Sequence, residues 1–195
     1  MPLHMIENTG NPYIRFQIEE NTWSISSETG LEDVDLKGQT ILIDISEVKM
    51  GWLALQGGRD WLQWPNNNPV GCDKPSDAHK QGFSVTFYST KLFGDSPSRE
   101  LSSSQIGMLD FVKALYMAAE TNPKFKTHVP KVKIGEAPKR KVGKGSTRTP
   151  GFEITGWADR PEELGGALPV ASPSAAAVTA PAAAASDDVS FGDEI

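Results

Sequence analysis

The segment Lys124–Arg148 holds nine basic side chains and a single acid, Glu136, so its local charge is +8. The whole chain has a formal net charge of −6, and the remaining residues therefore carry −14. Basic side chains at this density repel one another unless a partner neutralises them. Such a separation of charge predicts one face for a polyanion, with other parts of the chain that repel or imitate that polyanion.

A chain of 195 residues suits one domain followed by a tail. The sequence has no apolar run of about 18 residues and no leader pattern in residues 1–7, so we expect neither a membrane span nor a signal peptide. Cys72 is the single cysteine, and the three histidines are scattered, which gives no zinc-binding spacing. We therefore expect no metal and no cofactor.

Short β-like segments occur throughout the first half of the chain. Four of them have strand-like alternation or apolar β-rich content: residues 13–18, 22–26, 40–45 and 50–55. The first two predict a hairpin, and the last two predict neighbouring strands. In residues 82–89, Phe83, Val85 and Phe87 alternate with polar side chains, which is typical of a half-exposed antiparallel strand. The acidic residues 30–38 are interpreted as a turn.

One helix is predicted over about residues 105–121, where apolar side chains recur at i, i+3 and i+4. The segment Ser102-Ser103-Ser104-Gln105 offers N-cap residues, and Asn122-Pro123 ends the helix. The apolar stripe packs on the sheet, or part of it makes a dimer contact.

A second hairpin is predicted from residues 130–135 and 151–157, with lysines on one face of its first strand. The intervening residues 136–150 are rich in glycine, proline and basic side chains, and we expect a loop that projects from the sheet. A long structureless loop in a compact domain is usually functional or disordered. Its charge favours a binding role.

Residues 57–69 form a predicted loop of glycine, asparagine and proline that carries Trp61 and Trp64. Two interpretations remain open. The rings close an edge of the core, since large aromatic side chains are buried on average. Alternatively, one of them joins Trp52 in offering a face on which bases stack, a contact worth about 1–3 kcal/mol per base.

From residue 165 the composition changes to alanine, proline and serine, which predicts a disordered linker over residues 165–185. In residues 186–195, four acids surround Val189, Phe191 and Ile195. This segment suits docking in a basic, apolar pocket of a partner, competition for the protein's own basic groove, or solubility alone. The chain thus divides into a core over residues 1–164, a linker over 165–185 and an acidic tip over 186–195.

No catalytic motif is found in the sequence. Residues 143–147 suggest a phosphate-binding loop, but Lys144 is followed by Gly145, and Pro138 stands where that loop needs its first glycine. No GxSxG, HExxH or GxGxxG pattern occurs. We therefore expect no enzyme.

A β-rich domain with interleaved basic and aromatic residues, followed by an Ala/Pro linker and an acidic tip holding Phe191, resembles the single-stranded DNA-binding proteins of bacteria and tailed phages. Residues 150–164 are similar to the end of the core domain in phage-encoded members. A more particular likeness is to the single-stranded-DNA-binding cofactors of RNA polymerase in N4-like phages. The bacterial tip closes in Pro-Phe, whereas Phe191 is internal here.

The resemblance implies an OB-like barrel or a curved sheet that coats single-stranded DNA in replication or transcription. It also implies that the tail recruits replication proteins or RNA polymerase. We expect an α+β, mainly antiparallel β core with one long helix, a disordered tail, a homo-oligomer, and a location in the cytoplasm, that of the host if a phage encodes the chain. The alternatives are an assembly module or polymerase cofactor whose basic loop docks an acidic partner, and a binder of duplex DNA or RNA.

The predicted site residues fall into three groups. The predicted phosphate contacts are Lys131, Lys133, Lys139, Arg140, Lys141, Lys144 and Arg148, with Arg59 beside the rings. The predicted stacking rings are Trp52, Trp61, Trp64 and Tyr88. The predicted partner contacts are Asp187, Asp188, Phe191, Asp193, Glu194 and Ile195.

Overall fold

The computed structural model describes residues 12–164. The strands are β1 (Tyr13–Gln17), β2 (Thr22–Ser27), β3 (Gly30–Val34), β4 (Thr40–Ile43), β5 (Lys49–Ala54), β6 (Asp60–Gln63), β7 (Lys80–Tyr88), β8 (Ser98–Ser103), β9 (His128–Ile134), β10 (Lys139–Val142), β11 (Gly145–Arg148) and β12 (Phe152–Asp159). Helix α1 spans Ile106–Glu120, and short 3-10 turns span Ile45–Glu47, Pro65–Asn67 and Glu162–Leu164.

Ten strands form one curled, half-barrel sheet in the order β12-β9-β4-β7-β8-β1-β2-β3, with β5 and β6 attached beside β7. Every pair in this sheet is antiparallel except β1 with β8. Strands β10 and β11 form a separate hairpin. The predicted α+β class, with mainly antiparallel strands, a curved sheet and one helix, is confirmed.

The side chains of β7 show that the two faces of the sheet differ chemically. Phe83, Val85 and Phe87 are buried on what we call the inner face, where α1 inserts Met108 and Phe111, both fully buried. Because successive side chains of a strand point to opposite sides, the polar residues of β7 lie on the outer face. The amphipathic patterns of β7 and α1 therefore meet in one core, as their spacing predicts.

Three segments interpreted as turns or loops contain strands, and these predictions were wrong. Strand β3 lies within the acidic residues 30–38, β6 within residues 57–69, and β10 and β11 within residues 136–150. Each of these four strands is short and has little buried apolar surface. Its strand conformation depends on pairing with a neighbouring strand and not on a local sequence pattern.

The predicted pairing of residues 50–55 with residues 40–45 was also wrong. Strands β4 and β5 do not pair with each other; they occupy different stretches of the same edge of β7. Both predicted hairpins, β1 with β2 and β9 with β12, are present. The helix also lies where it was expected, but Gln105 occupies its N-cap position and makes no side-chain capping bond.

Within residues 12–164, no helix is long and apolar enough to cross a membrane. The predicted linker over residues 165–185 and the predicted partner contacts in residues 186–195 lie outside the described residues.

Candidate nucleic-acid interface

One end of the outer face combines an aromatic ring with lysines. Leu42 of β4 pairs with Tyr88 on one side and with Lys131 of β9 on the other, so the three side chains form one row across the sheet. Two strand spacings, about 9.6 Å, separate the backbones of Tyr88 and Lys131. Lys133 continues the face but has Glu153 of β12 directly opposite. Lys131 is therefore the less compensated of the two cations.

The phenol of Tyr88 lies beside Glu163 in the last 3-10 turn. Burial and the neighbouring Glu163 carboxylate both raise the pKa of Tyr88, so the ring is neutral at physiological pH. A neutral, half-buried ring at the surface of a sheet is suitable for stacking against a base.

The other end of the outer face carries Trp61. Trp61 pairs with Leu53, which pairs with Lys80, so these residues form a second row. The indole lies on the backbone of Gly51: a Cβ at Gly51 would come within 2.9 Å of the indole carbon Cη2. Only glycine leaves room for the ring there. Trp61 is thus fixed against the strand while remaining partly exposed to solvent.

Arg59 is held beside this ring by a carboxylate. Its guanidinium carbon lies 5.8 Å from the centroid of Trp61, and its Nη1 donates to Glu100 Oε2 at 3.3 Å. Glu100 also accepts hydrogen bonds from the hydroxyls of Ser84 and Ser102. The network neutralises the acid in the middle of the outer face and holds the Arg59 guanidinium over the Trp61 ring.

Three further cations share the outer face and were missed by sequence reasoning. Lys49 pairs with Ser84 and Lys80 pairs with Leu53, while Arg15 alternates with the buried Ile14 and Phe16. All three cations are exposed. The alternation within β1 contains a signal for Arg15, but the positions of Lys49 and Lys80 depend on the register between β5 and β7.

The basic segment 139–148 does not project from the sheet as we expected. Arg140 forms an ion pair with Asp110 of α1, and the buried Thr147 lies on the side of the hairpin that faces the helix. A Cβ at Gly107 would come within 2.0 Å of the carbonyl oxygen of Arg148, so hairpin and helix are in backbone contact. We call β10 and β11 the basic hairpin. It lies on the α1 side of the sheet, opposite Lys131.

Carboxylates surround the basic hairpin. Arg148 borders a cleft of about 560 Å³ that Asp33 and Asp35 also line. Ser146 borders a second cleft, of about 530 Å³, together with Glu19, Glu20 and the outer-face cation Arg15. The exposed cations of the hairpin are Lys139, Lys141 and Lys144. These acids weaken the attraction of the hairpin for a polyanion, and no aromatic ring lies within it.

The two remaining predicted rings have structural contacts. Trp64 is 3% exposed and stacks edge-on with Trp52, with 5.2 Å between ring centroids. The Nε1 of Trp52 donates to the carbonyl oxygen of Cys72 at 3.0 Å. Trp64 therefore fits the interpretation in which it closes an edge of the core, and Trp52 presents at most part of its ring.

Residues 12–164 contain no group of three or more His, Cys, Asp or Glu side chains arranged to hold a metal ion. Comparison of the chain with family models, with curated proteins and with solved structures finds no match. The chemistry of the interface therefore rests on its own geometry.

Proposed function

We propose that the protein binds single-stranded DNA, without sequence preference, on the outer face of its curled sheet. The observation that carries the proposal is that a partly exposed ring and a lysine share one row across the sheet at each end of β7: Trp61 with Lys80, and Tyr88 with Lys131. Lysines neutralise phosphates, and aromatic faces stack any base, so this combination recognises a single strand rather than a sequence.

The two rows lie at opposite ends of β7, a spacing suited to an extended strand. Lys80 and Tyr88 are eight residues apart on β7, or about 27 Å at the rise of an antiparallel strand. A nucleic acid lying along this face meets Trp61 at one end and Tyr88 at the other. The serine-rich centre and the neutralised Glu100 lie between them. The curled sheet would serve as an OB-like platform of the kind that tracks a single-stranded backbone.

Five exposed outer-face cations can meet phosphates, although Glu153 lies directly opposite one of them, Lys133: Arg15, Lys49, Lys80, Lys131 and Lys133. With a single-strand contribution of about 0.7 per phosphate, five contacts predict a slope near −3.5 for log K against log salt. We propose the same biological setting as the resemblance implies: coating of single-stranded DNA in phage replication or transcription, in the host cytoplasm, by a homo-oligomer. In this setting, the acidic tip recruits the partners.

The test is a titration of tryptophan fluorescence with oligo-dT at three salt concentrations, with duplex DNA and single-stranded RNA of equal length alongside. We expect quenching by oligo-dT, a steep salt dependence and little response to duplex. The Trp61→Phe variant should lose most of the quenching. Trp157→Phe, a change in a ring that packs against the core, should retain it. No quenching at low salt would refute the proposal.

The second candidate function is an assembly role in which the basic hairpin docks an acidic protein. One observation favours it: Arg140 already binds a carboxylate, that of Asp110, and the hairpin itself offers no ring for a base. Binding of an acidic peptide that depends on Lys139 and Lys141, together with no response to oligo-dT, would support this role instead.

A further inference from the structure

An apolar groove runs along the exposed side of α1. It measures about 740 Å³ and lies between the helix and the segment that joins the first 3-10 turn to β5. Asn66, Asn67 and Gln81 also line it, and its apolar lining comprises Val48, Met50, Ile106, Leu109, Val112, Tyr116 and Met117. Ile106 is 49% exposed and Met117 is 57% exposed. Large apolar side chains clustered in an open groove are a typical site for an apolar segment of a protein chain.

The last described residue, Leu164, is joined through Arg160 to Asp44, four residues before Val48 of the groove. Arg160 Nη1 donates to the carbonyl oxygen of Leu164 at 3.3 Å and to Asp44 Oδ2 at 2.6 Å. Asp44 directly precedes the 3-10 turn that packs on α1, and Val48, at the end of that turn, lines the groove. The chain therefore leaves the domain near Asp44 and Tyr88, and one 3-10 turn separates Asp44 from Val48 of the groove.

The segment that follows is long enough to reach the groove. Residues 165–186 number 22, and a flexible chain of that length has a root-mean-square span of about 25 Å. They lead to Val189, Phe191 and Ile195, the apolar side chains of the acidic tip. A groove lined by Met50, Leu109 and Met117 offers an apolar site for one aromatic ring and adjustable thioethers around it.

The charge around the groove agrees with an acidic occupant at one end. Lys113 lies on the rim, and Asp110, which also borders the groove, is neutralised by Arg140 of the basic hairpin. The hairpin thus places its positive charge beside the N-terminal half of α1. Glu120 lies toward the C-terminal end of the helix. The four acids of the tip are therefore best accommodated near Lys113.

We propose that residues 186–195 dock in this groove of their own chain, with Phe191 as the anchor. The groove opens on the α1 side, and so the docked tip leaves the outer face free for a nucleic acid. A protein that binds the tip must first displace it from α1. The groove therefore competes with partner proteins for the tip, and the docked tip does not compete with DNA for the outer face. The proposal does not rest on the DNA-binding function and is tested without DNA.

The experiment is proximity crosslinking in the full-length chain with a short bismaleimide. Cys72, the only cysteine, is first replaced by serine, and Val189→Cys then supplies a thiol in the tip. The second thiol is placed in the groove by Met117→Cys or, as the matched control, on β3 by Leu31→Cys, since Leu31 is also an exposed apolar residue at 41%. Circular dichroism verifies that each variant is folded.

We expect intrachain crosslinking of the M117C variant to be at least about tenfold faster than that of the L31C control, as an intramolecular site of raised effective concentration requires. Adding Phe191→Ser should reduce the rate to that of the control. Equal rates in the two variants would overturn docking, and an unchanged rate with F191S would overturn the anchor. Crosslinks formed only between chains would overturn the intrachain site and assign the groove to a second copy.

Discussion

The two basic surfaces predict different results for two matched pairs of lysine substitutions. Lys80 and Lys131 lie on the outer face, whereas Lys139 and Lys141 lie on the basic hairpin. All four are exposed strand residues, and none forms an ion pair within residues 12–164. Replacing either pair by alanine removes two positive charges, so the net charge of the protein changes equally and only the location of the charge differs.

The size of the effect follows from counterion release. Two lost phosphate contacts reduce the magnitude of the salt slope by about 1.4, from near −3.5 to near −2.1, at about 0.7 per contact. If binding at 1 M salt is unchanged, the same difference weakens binding about 25-fold at 0.1 M salt. We expect this result for the Lys80→Ala, Lys131→Ala protein. The Lys139→Ala, Lys141→Ala protein should keep the original slope.

The assay is fluorescence titration with oligo-dT at three or more salt concentrations, with circular dichroism to show that both variants are folded. The reverse pattern, a flattened slope for the hairpin pair and an unchanged slope for the outer-face pair, would refute the outer face as the site. Equal flattening in both variants would mean that the strand reaches both sides of the sheet. No change in either would remove the lysines from the interface altogether.

Three further predictions concern the ring, the hairpin contact and the tip. Trp61→Ala should weaken oligo-dT binding by about 1–3 kcal/mol with little change in the urea midpoint, because on the proposed function the indole stacks on a base, and it lies outside the core cluster. Gly107→Ala should lower the free energy of unfolding in urea by about 1–3 kcal/mol, since the new methyl group meets the backbone of Arg148. Deleting residues 186–195 should leave oligo-dT binding intact or tighter and abolish capture of a protein partner in a pull-down.

Sequence patterns predicted the elements that bury one regular face. In β7 and α1 the spacing of apolar residues along the sequence matches the face that is buried. Phe83, Val85 and Phe87 alternate in β7, and α1 has an apolar stripe, so both elements could be placed within a few residues. Strands β3, β6, β10 and β11 could not be placed in this way. Their residues are mostly polar or exposed, and they become strands because a neighbour supplies hydrogen bonds.

The candidate site was predicted in part for the same reason. Lys131, Lys133 and Tyr88 could be assigned to exposed faces from their own strands. The contact of Trp61 with Gly51 and the position of Lys49 beside β7 depend on pairings between strands that are distant in sequence. Such registers are set by the whole sheet and leave no local pattern to read.

The segment with the highest charge density is not where we propose that a polyanion binds. Within the most basic segment, Arg140 is bound by Asp110, and the Arg148 guanidinium donates to the carbonyl oxygen of Ala137 at 2.9 Å. Glu19, Glu20, Asp33 and Asp35 line the clefts beside it. The cations of the outer face are more widely spaced in the sequence than those of the basic segment. They come from four separate strands and lie among partly exposed rings. Because a single strand needs phosphate neutralisation and a stacking surface in the same place, the fold favours the face with the rings over the segment with the most charge.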